Sequence, residues 1–285
     1  MTRHRLVVGV DYGTTYSGTF DLSAFHELLI NVRTGISYVT TDKKALEDIY
    51  VERSWPGKDG EWKTPTRIAY ASENTKSSLA DNQWGYRATP PMVMCSWIKL
   101  LLDASTRPAA NDDFRLASQS DECKPRLPNN RDAQGVVTDF LRELYAHLES
   151  RVVKSLGQEF FDSTPMDVWL TVPAVWSDQA QNATKNAAKE AGFGARPGDT
   201  ISVISEPEAA AVAYLSDVTR PETVNKPSVG PIPLTSSQEL TRQQVGETIM
   251  VCDCGGGTVD ITSYTIVELG QQPVFDEACV GIGMP

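Results

Sequence analysis

Cysteine, histidine and long apolar runs are all scarce in this chain of 285 residues. The cysteines, Cys95, Cys123, Cys252, Cys254 and Cys279, form an odd and widely spaced set. They do not read as the framework of a disulfide-stapled domain, and they point to a reducing compartment, cytoplasmic or nuclear. His4, His26 and His147 have no partnered spacing. No Ser-His-Asp arrangement is suggested, and Cys252 and Cys254 lack the further ligands a zinc site needs, so they read as core thiols. The apolar run Leu6 to Val10 stops at Asp11, too short for a signal-peptide core or a membrane span, and no membrane partner is expected. Cations are also in deficit, with 26 Lys+Arg against 37 Asp+Glu and a net charge of -11. Such a surface repels phosphate backbones, so nucleic acid is not an expected partner. An anionic ligand would have to be held by local backbone dipoles and metal ions. The remainder, 40% hydrophobic and 22% charged, is ordinary globular usage that excludes a fully disordered chain or a coiled-coil rod.

Several elements can be placed from pattern alone. Leu6 to Val10 reads as a buried strand, followed by a tight turn at Gly13-Thr14-Thr15 and a second strand, Tyr16 to Leu22. Residues 23–48 carry no clear period and read as an insertion. Ile49 to Arg53 and Thr66 to Tyr70 are strand-like, on either side of the turn Trp55-Pro56-Gly57. Val93 to Leu102 has helical character. Val137, Leu141, Leu144, Leu148 and Val152 recur at three- and four-residue steps, the period of one buried helix face. Val168 to Val172 is a strand ending at Pro173. Ser177 caps a helix over residues 179–191 that Gly192 terminates. Ile201 to Ile204 is a strand, and Ser205 with Glu208 fits a capping box. Residues 216–247, rich in Pro, Ser, Thr and Gln, read as a linker or loop. A strand from Thr248 then leads to Asp253-Cys254-Gly255-Gly256-Gly257-Thr258, with another strand from Val259 to Val267.

A weak internal repeat carries the chemistry. Asp11-Tyr12-Gly13-Thr14-Thr15 and Asp253-Cys254-Gly255-Gly256-Gly257-Thr258 each follow an apolar strand and precede another. Glycine lets a backbone approach an oxyanion, and successive free N–H groups in a turn form an anion-binding concavity. Thr14, Thr15 and Thr258 add hydroxyl donors. A carboxylate at each strand end, Asp11 or Asp253, suits Mg²⁺ held largely through its waters. Two such hairpins would grip a polyphosphate between them.

These motifs resemble the nucleotide-binding domain of the seventy-kilodalton heat-shock chaperone family, within the actin-like ATPases. The resemblance runs in order through Gly9 to Ser17, Ser96 to Leu101, Thr171 to Asp178, Ser205 to Tyr214 and Asp253 to Asp260. The Ser54-Trp55-Pro56-Gly57 turn with Pro65-Thr66 is most similar to a divergent, type-12-like branch. The resemblance implies an α/β fold, an actin-like (ribonuclease-H-like) lobe with a mixed sheet flanked by helices. It implies ATP or ADP with Mg²⁺ as ligand and ATP hydrolysis as activity. Asp11 and Asp253 would order the Mg²⁺ waters. Gly13, Thr14, Thr15, Tyr16, Gly255, Gly256, Gly257 and Thr258 would lie along the phosphates. Lys99 would reach the γ-phosphate, Glu206 would take a proton or hold a metal-bound water, Asp260 would support the water network, and Pro173 would relay nucleotide state. Unfolded clients and co-chaperones are the implied partners.

Plainer readings stand beside these roles. Lys99 would snorkel to water, Glu206 would answer the helix dipole, and Asp260 would be an exposed strand residue. The expected organisation is a first lobe at 1–215, the linker at 216–247 and a truncated start of the second lobe at 248–285. An isolated chain of this extent is expected to hold ATP weakly or not at all. The alternative function is a non-catalytic pseudo-ATPase serving as an interaction scaffold. A small-molecule kinase would need a catalytic Asp near an acceptor pocket, for which the sequence offers no candidate.

Overall fold

Leu6, Val8 and Val10 are buried while Val7, Gly9 and Asp11 alternate with them, which makes β1 (Leu6–Asp11) a strand of a two-faced sheet. The computed structural model describes residues 4–13, 35–43, 48–75, 79–103, 126–218, 245–254, 259–269 and 274–279. After β1 come β2 (Gly35–Thr40), β3 (Tyr50–Val51), the hairpin of β4 (Ser54–Trp55) and β5 (Lys58–Asp59), then β6 (Arg67–Ala69), β7 (Gln83–Trp84) and β8 (Cys95–Ser96). A 3-10 turn, Ile98–Leu101, leads on to α1 (Ala133–Leu156), α2 (Gln158–Ser163), β9 (Met166–Val172) and α3 (Asp178–Ala191). The order closes with β10 (Thr200–Ser205), α4 (Glu206–Val218), β11 (Thr248–Cys254), β12 (Val259–Glu268) and β13 (Val274–Cys279).

The main sheet has the order β10-β9-β1-β2-β3. β10, β9 and β1 are parallel, and β2 and β3 are antiparallel additions at the other side. This is the expected mixed α/β sheet. Its inner face joins Val136, Val137, Phe140, Leu141, Leu144, Leu148 and Val152 of α1 and Ala187, Ala188 and Ala191 of α3 in one apolar cluster. The helical period of α1 therefore has its expected cause. Asp132 caps α1 by accepting from Gly135 N (2.7 Å), and Ser177 caps α3 by accepting from Ala180 N (3.3 Å). Gly192 ends α3 at φ 116°, a backbone angle that favours glycine.

Three expectations need correction. Residues 23–48 are not wholly an insertion, because Gly35–Thr40 pairs along the full length of β1. The strand expected at Tyr16 to Leu22 lies outside the described residues. Val93 to Leu102 is helical only over Ile98–Leu101, as a 3-10 turn. Cys95 and Ser96 pair with Ile68 and Arg67, and Trp97 then turns into the left-handed region (φ 61°, ψ 17°) before the 3-10 turn. Cross-strand pairing has overridden local preference there. Cys252 is exposed and is not a core thiol.

The second sheet, β11-β12-β13, is antiparallel throughout. It packs on α4. Among its described residues Thr262, Tyr264 and Ile266 are buried, and burial pushes the Tyr264 hydroxyl pKa up. Among the described residues no helix is long and apolar enough to cross a membrane.

Candidate functional site

Three parallel strands end on the same side of the main sheet: β1 at Asp11, β9 at Val172 and β10 at Ser205. In open α/β sheets the crevice beyond the carboxyl ends of the strands is where ligands bind. Each strand delivers one of the expected site segments to that edge. β1 brings Asp11, Tyr12 and Gly13. β9 brings Thr171 and Pro173. β10 runs directly into Glu206, the first residue of α4. Ser205 Oγ accepts from Glu208 N (3.2 Å), so the capping bond fixes where Glu206 sits.

Lys99 joins these ends. Its side chain is completely buried, and its ammonium donates to the Tyr12 carbonyl and, at 2.5 Å, to Glu206 Oε1. The ammonium also lies 5.4 Å from the ring centres of both Tyr12 and Trp176. Lys99 therefore does not snorkel to solvent. Burying a charge in this way requires a paired, hydrogen-bonded partner, and Glu206 supplies it. The turn that carries Lys99 is anchored at its far end, where Asp103 accepts from Ser177 N and Ser177 Oγ (both 3.4 Å).

Pro173 is buried and follows β9 immediately. Its carbonyl accepts from Trp176 N (3.3 Å), one residue before the Ser177 cap. Pro173 thus lies in the short link between the β9 strand end and the start of α3, the helix to which the Lys99 turn is tied.

Asp11 has two partners. Thr171 Oγ1 donates to its Oδ1 (2.9 Å), and Lys63 donates to its Oδ2. The Asp11 side chain stays 39% exposed, so carboxylate surface is left over. Magnesium held through waters needs only one or two carboxylates, and a half-exposed Asp11 at the strand end fits that demand. Among the described residues no group of three or more His, Cys, Asp or Glu side chains is placed to hold a metal directly.

In the second sheet, Asp253 and Asp260 stand opposite each other in register, near the end of β11 and the start of β12. Thr14, Thr15, Tyr16, Gly255, Gly256, Gly257 and Thr258 lie outside the described residues. Two contributors escaped the sequence reading. Thr171 stands inside a quoted motif but was given no role, and its β-branched hydroxyl at a strand end was the available signal. Lys63 lies in the turn-rich stretch Glu61-Trp62-Lys63, 52 residues from its partner, where no period marks it.

A mixed sheet that gathers acidic and basic groups at its parallel strand ends defines an α/β fold with a candidate ligand crevice at that edge. The Hsp70 protein family model matches residues 142–276. The chaperone protein HscA homolog of Aliivibrio fischeri (strain MJ11) is 27% identical over 263 residues, covering 91% of this chain and 32% of that protein. HscA of Proteus mirabilis (strain HI4320) is 26% identical over 268 residues, covering 93% of this chain and 33% of that protein. The chaperone protein DnaK of Elusimicrobium minutum (strain Pei191) is 31% identical over 124 residues, covering 44% of this chain and 15% of that protein. The chain is thus similar to the Hsp70 family, and it spans about a third of the length of the HscA relatives it matches.

Proposed function

We propose that this chain carries a chaperone-type nucleotide-binding site that takes ATP or ADP with Mg²⁺ and hydrolyses ATP, in a cytoplasmic protein that serves unfolded clients and co-chaperones. The observation that carries this reading is the Lys99 ammonium, buried between the Tyr12 carbonyl and Glu206 where three parallel strands end. Phosphoryl transfer asks the protein mainly for positioning and charge stabilisation. Lys99 and Glu206 hold each other in place, and Thr171 orients Asp11. Asp11 and Asp253 would hold Mg²⁺ through its waters, and the ion would offset charge on the phosphates. Gly13, Thr14, Thr15 and Tyr16 from one turn, with Gly255, Gly256, Gly257 and Thr258 from the other, would bind the phosphates. Asp260 would order water beside them. Pro173 would pass the state of the site into α3. The lobe at 1–215, the linker at 216–247 and the second-lobe start at 248–285 remain the proposed organisation. The divergent branch rests on the Ser54-Trp55-Pro56-Gly57 turn followed by Pro65-Thr66.

Calorimetry with ATP and Mg²⁺, paired with phosphate release, tests the proposal on wild type, Lys99→Ala and Asp253→Ala. Weak, saturable binding and slow turnover are expected in wild type, with turnover lost in both variants. Binding without turnover, unchanged by either substitution, would favour the scaffold reading. No binding at millimolar ATP would overturn the nucleotide site.

A further inference from the structure

Lys63 belongs to none of the motifs, yet its ammonium is hydrogen-bonded to Asp11 Oδ2. The approach is built into the fold. Gly35 stands opposite Asp11 in the β1–β2 register, and a Cβ there would come within 3.3 Å of Lys63 Cγ. Glycine at that place leaves room for the lysine stem to cross toward the strand end. The Tyr86 hydroxyl donates to the Lys63 carbonyl (3.1 Å) and holds the backbone. Lys63 differs from Lys99 in its surroundings. Lys99 is completely buried and shared between two acceptors, whereas the Lys63 side chain is 30% exposed. Asp11, Lys63 and Thr171 also line a cavity of about 510 Å³ on the outer face of the sheet.

We propose that Lys63 is an internal cation of this site, seated on Asp11 where a divalent ion would otherwise pair, so that metal and lysine compete for one carboxylate. The ligand class rests on the nucleotide reading above; the competition itself does not. An ammonium beside Asp11 cancels much of the carboxylate's field and repels a second cation. The wild-type site should therefore hold a divalent ion more weakly than a site without the lysine, and removing Lys63 should release Asp11 to bind one more tightly.

The test has two arms on the full chain. In the first, Mn²⁺ alone is titrated by water-proton relaxation into wild type, Lys63→Met, Lys63→Gln and Asp11→Asn/Lys63→Met. Both single variants should bind Mn²⁺ roughly threefold to tenfold tighter than wild type, the size expected from removing one half-exposed ammonium beside a carboxylate. The gain should vanish in the double variant, and Lys63→Arg should match wild type. Equal Mn²⁺ affinity in wild type and whichever neutral variant folds would overturn the proposal, as would a gain that survives loss of Asp11. In the second arm, ATP binding is compared with Mg²⁺ and with EDTA. The ratio of the two affinities should be larger in Lys63→Met than in wild type, and an unchanged ratio would overturn the proposal. Failure of wild type to bind ATP at all would overturn the nucleotide reading, leaving the Mn²⁺ arm to decide on Lys63.

Discussion

The two sheets of this chain are held together in different ways. The main sheet is packed on its inner face by α1 and α3, and its residues share one apolar cluster with Phe140, Leu144 and Leu148. Among its described residues the second sheet is buried at Thr262, Tyr264 and Ile266, on one face, while Met250, Ile261, Val267 and Val274 are exposed. β13 is exposed at nearly every position. Burial scales with apolar area removed from water, so most of the hydrophobic stabilisation lies in the first region. The proposed site would draw on both regions. Lys99, Asp11 and Glu206 belong to the well-packed part, and Asp253 and Asp260 to the lightly packed one. Among the described residues, α4 packs against β9 and β10 of the first sheet and against β11 and β12 of the second, and so joins them.

The most direct way to break this contrast is Phe140→Ala. Phe140 is fully buried, 6.1 Å from the Tyr12 ring and 5.9 Å from the Trp84 ring. Truncation should cost about 3–5 kcal/mol, seen as a lower urea midpoint for the whole chain. Ile266→Ala probes the other side. It should cost about 2 kcal/mol, the low end for such a truncation, because a sheet with one open face can relax around the gap. Hydrogen exchange should then rise in β11 and β12 while β1 and β9 stay protected. Equal loss of protection in both sheets would mean that they unfold as one unit, and the contrast would fail.

The same contrast explains what the sequence could reveal. Elements of the first core announced themselves because each follows one rule. Val137, Leu141, Leu144, Leu148 and Val152 keep the helical period and are all buried. Ser177 and Gly192 cap the two ends of α3 as their residue types suggest. β2 was lost because the Ile36–Tyr38 alternation is brief and sits beside residues with no period. The strand Cys95–Ser96 before the 3-10 turn was missed because the apolar run from Val93 also suits a helix, and the Cys95–Ile68 pairing that decides the matter spans 27 positions. β13 was missed because Val274-Phe275-Asp276-Glu277-Ala278-Cys279 does not alternate. At the site, Lys99 and Glu206 were legible through motif resemblance, although their pairing across 107 positions was not. Lys63 was invisible because only the folded sheet brings it to Asp11.

The smallest expected effect separates the two regions by pH. His147 lies on α1, stacked on Trp55 at 5.2 Å and edge-on to Trp84 at 6.0 Å. Its Nε2 is enclosed and finds no hydrogen-bond partner among the described residues. Burial lowers its pKa below the ordinary value of 6.5, with Glu52 and a backbone bond at Ser54 opposing and Arg151 assisting. The folded state therefore binds fewer protons than the unfolded state once the pH falls through 6.5. Stability is full above that value and declines with acid until the lowered pKa is passed. For one proton the slope cannot exceed about 1.4 kcal/mol per pH unit. Urea midpoints of wild type and His147→Phe, measured from about pH 7.5 to about pH 5, isolate the contribution. The wild type should lose stability more steeply than the variant, and the loss should appear as faster exchange in α1 and β4, with the β11–β12 hairpin no more affected than in His147→Phe. Parallel pH profiles for the two proteins would show that the imidazole stays neutral in the unfolded chain too, or is solvated in the folded one, and would remove His147 from the account of the first core.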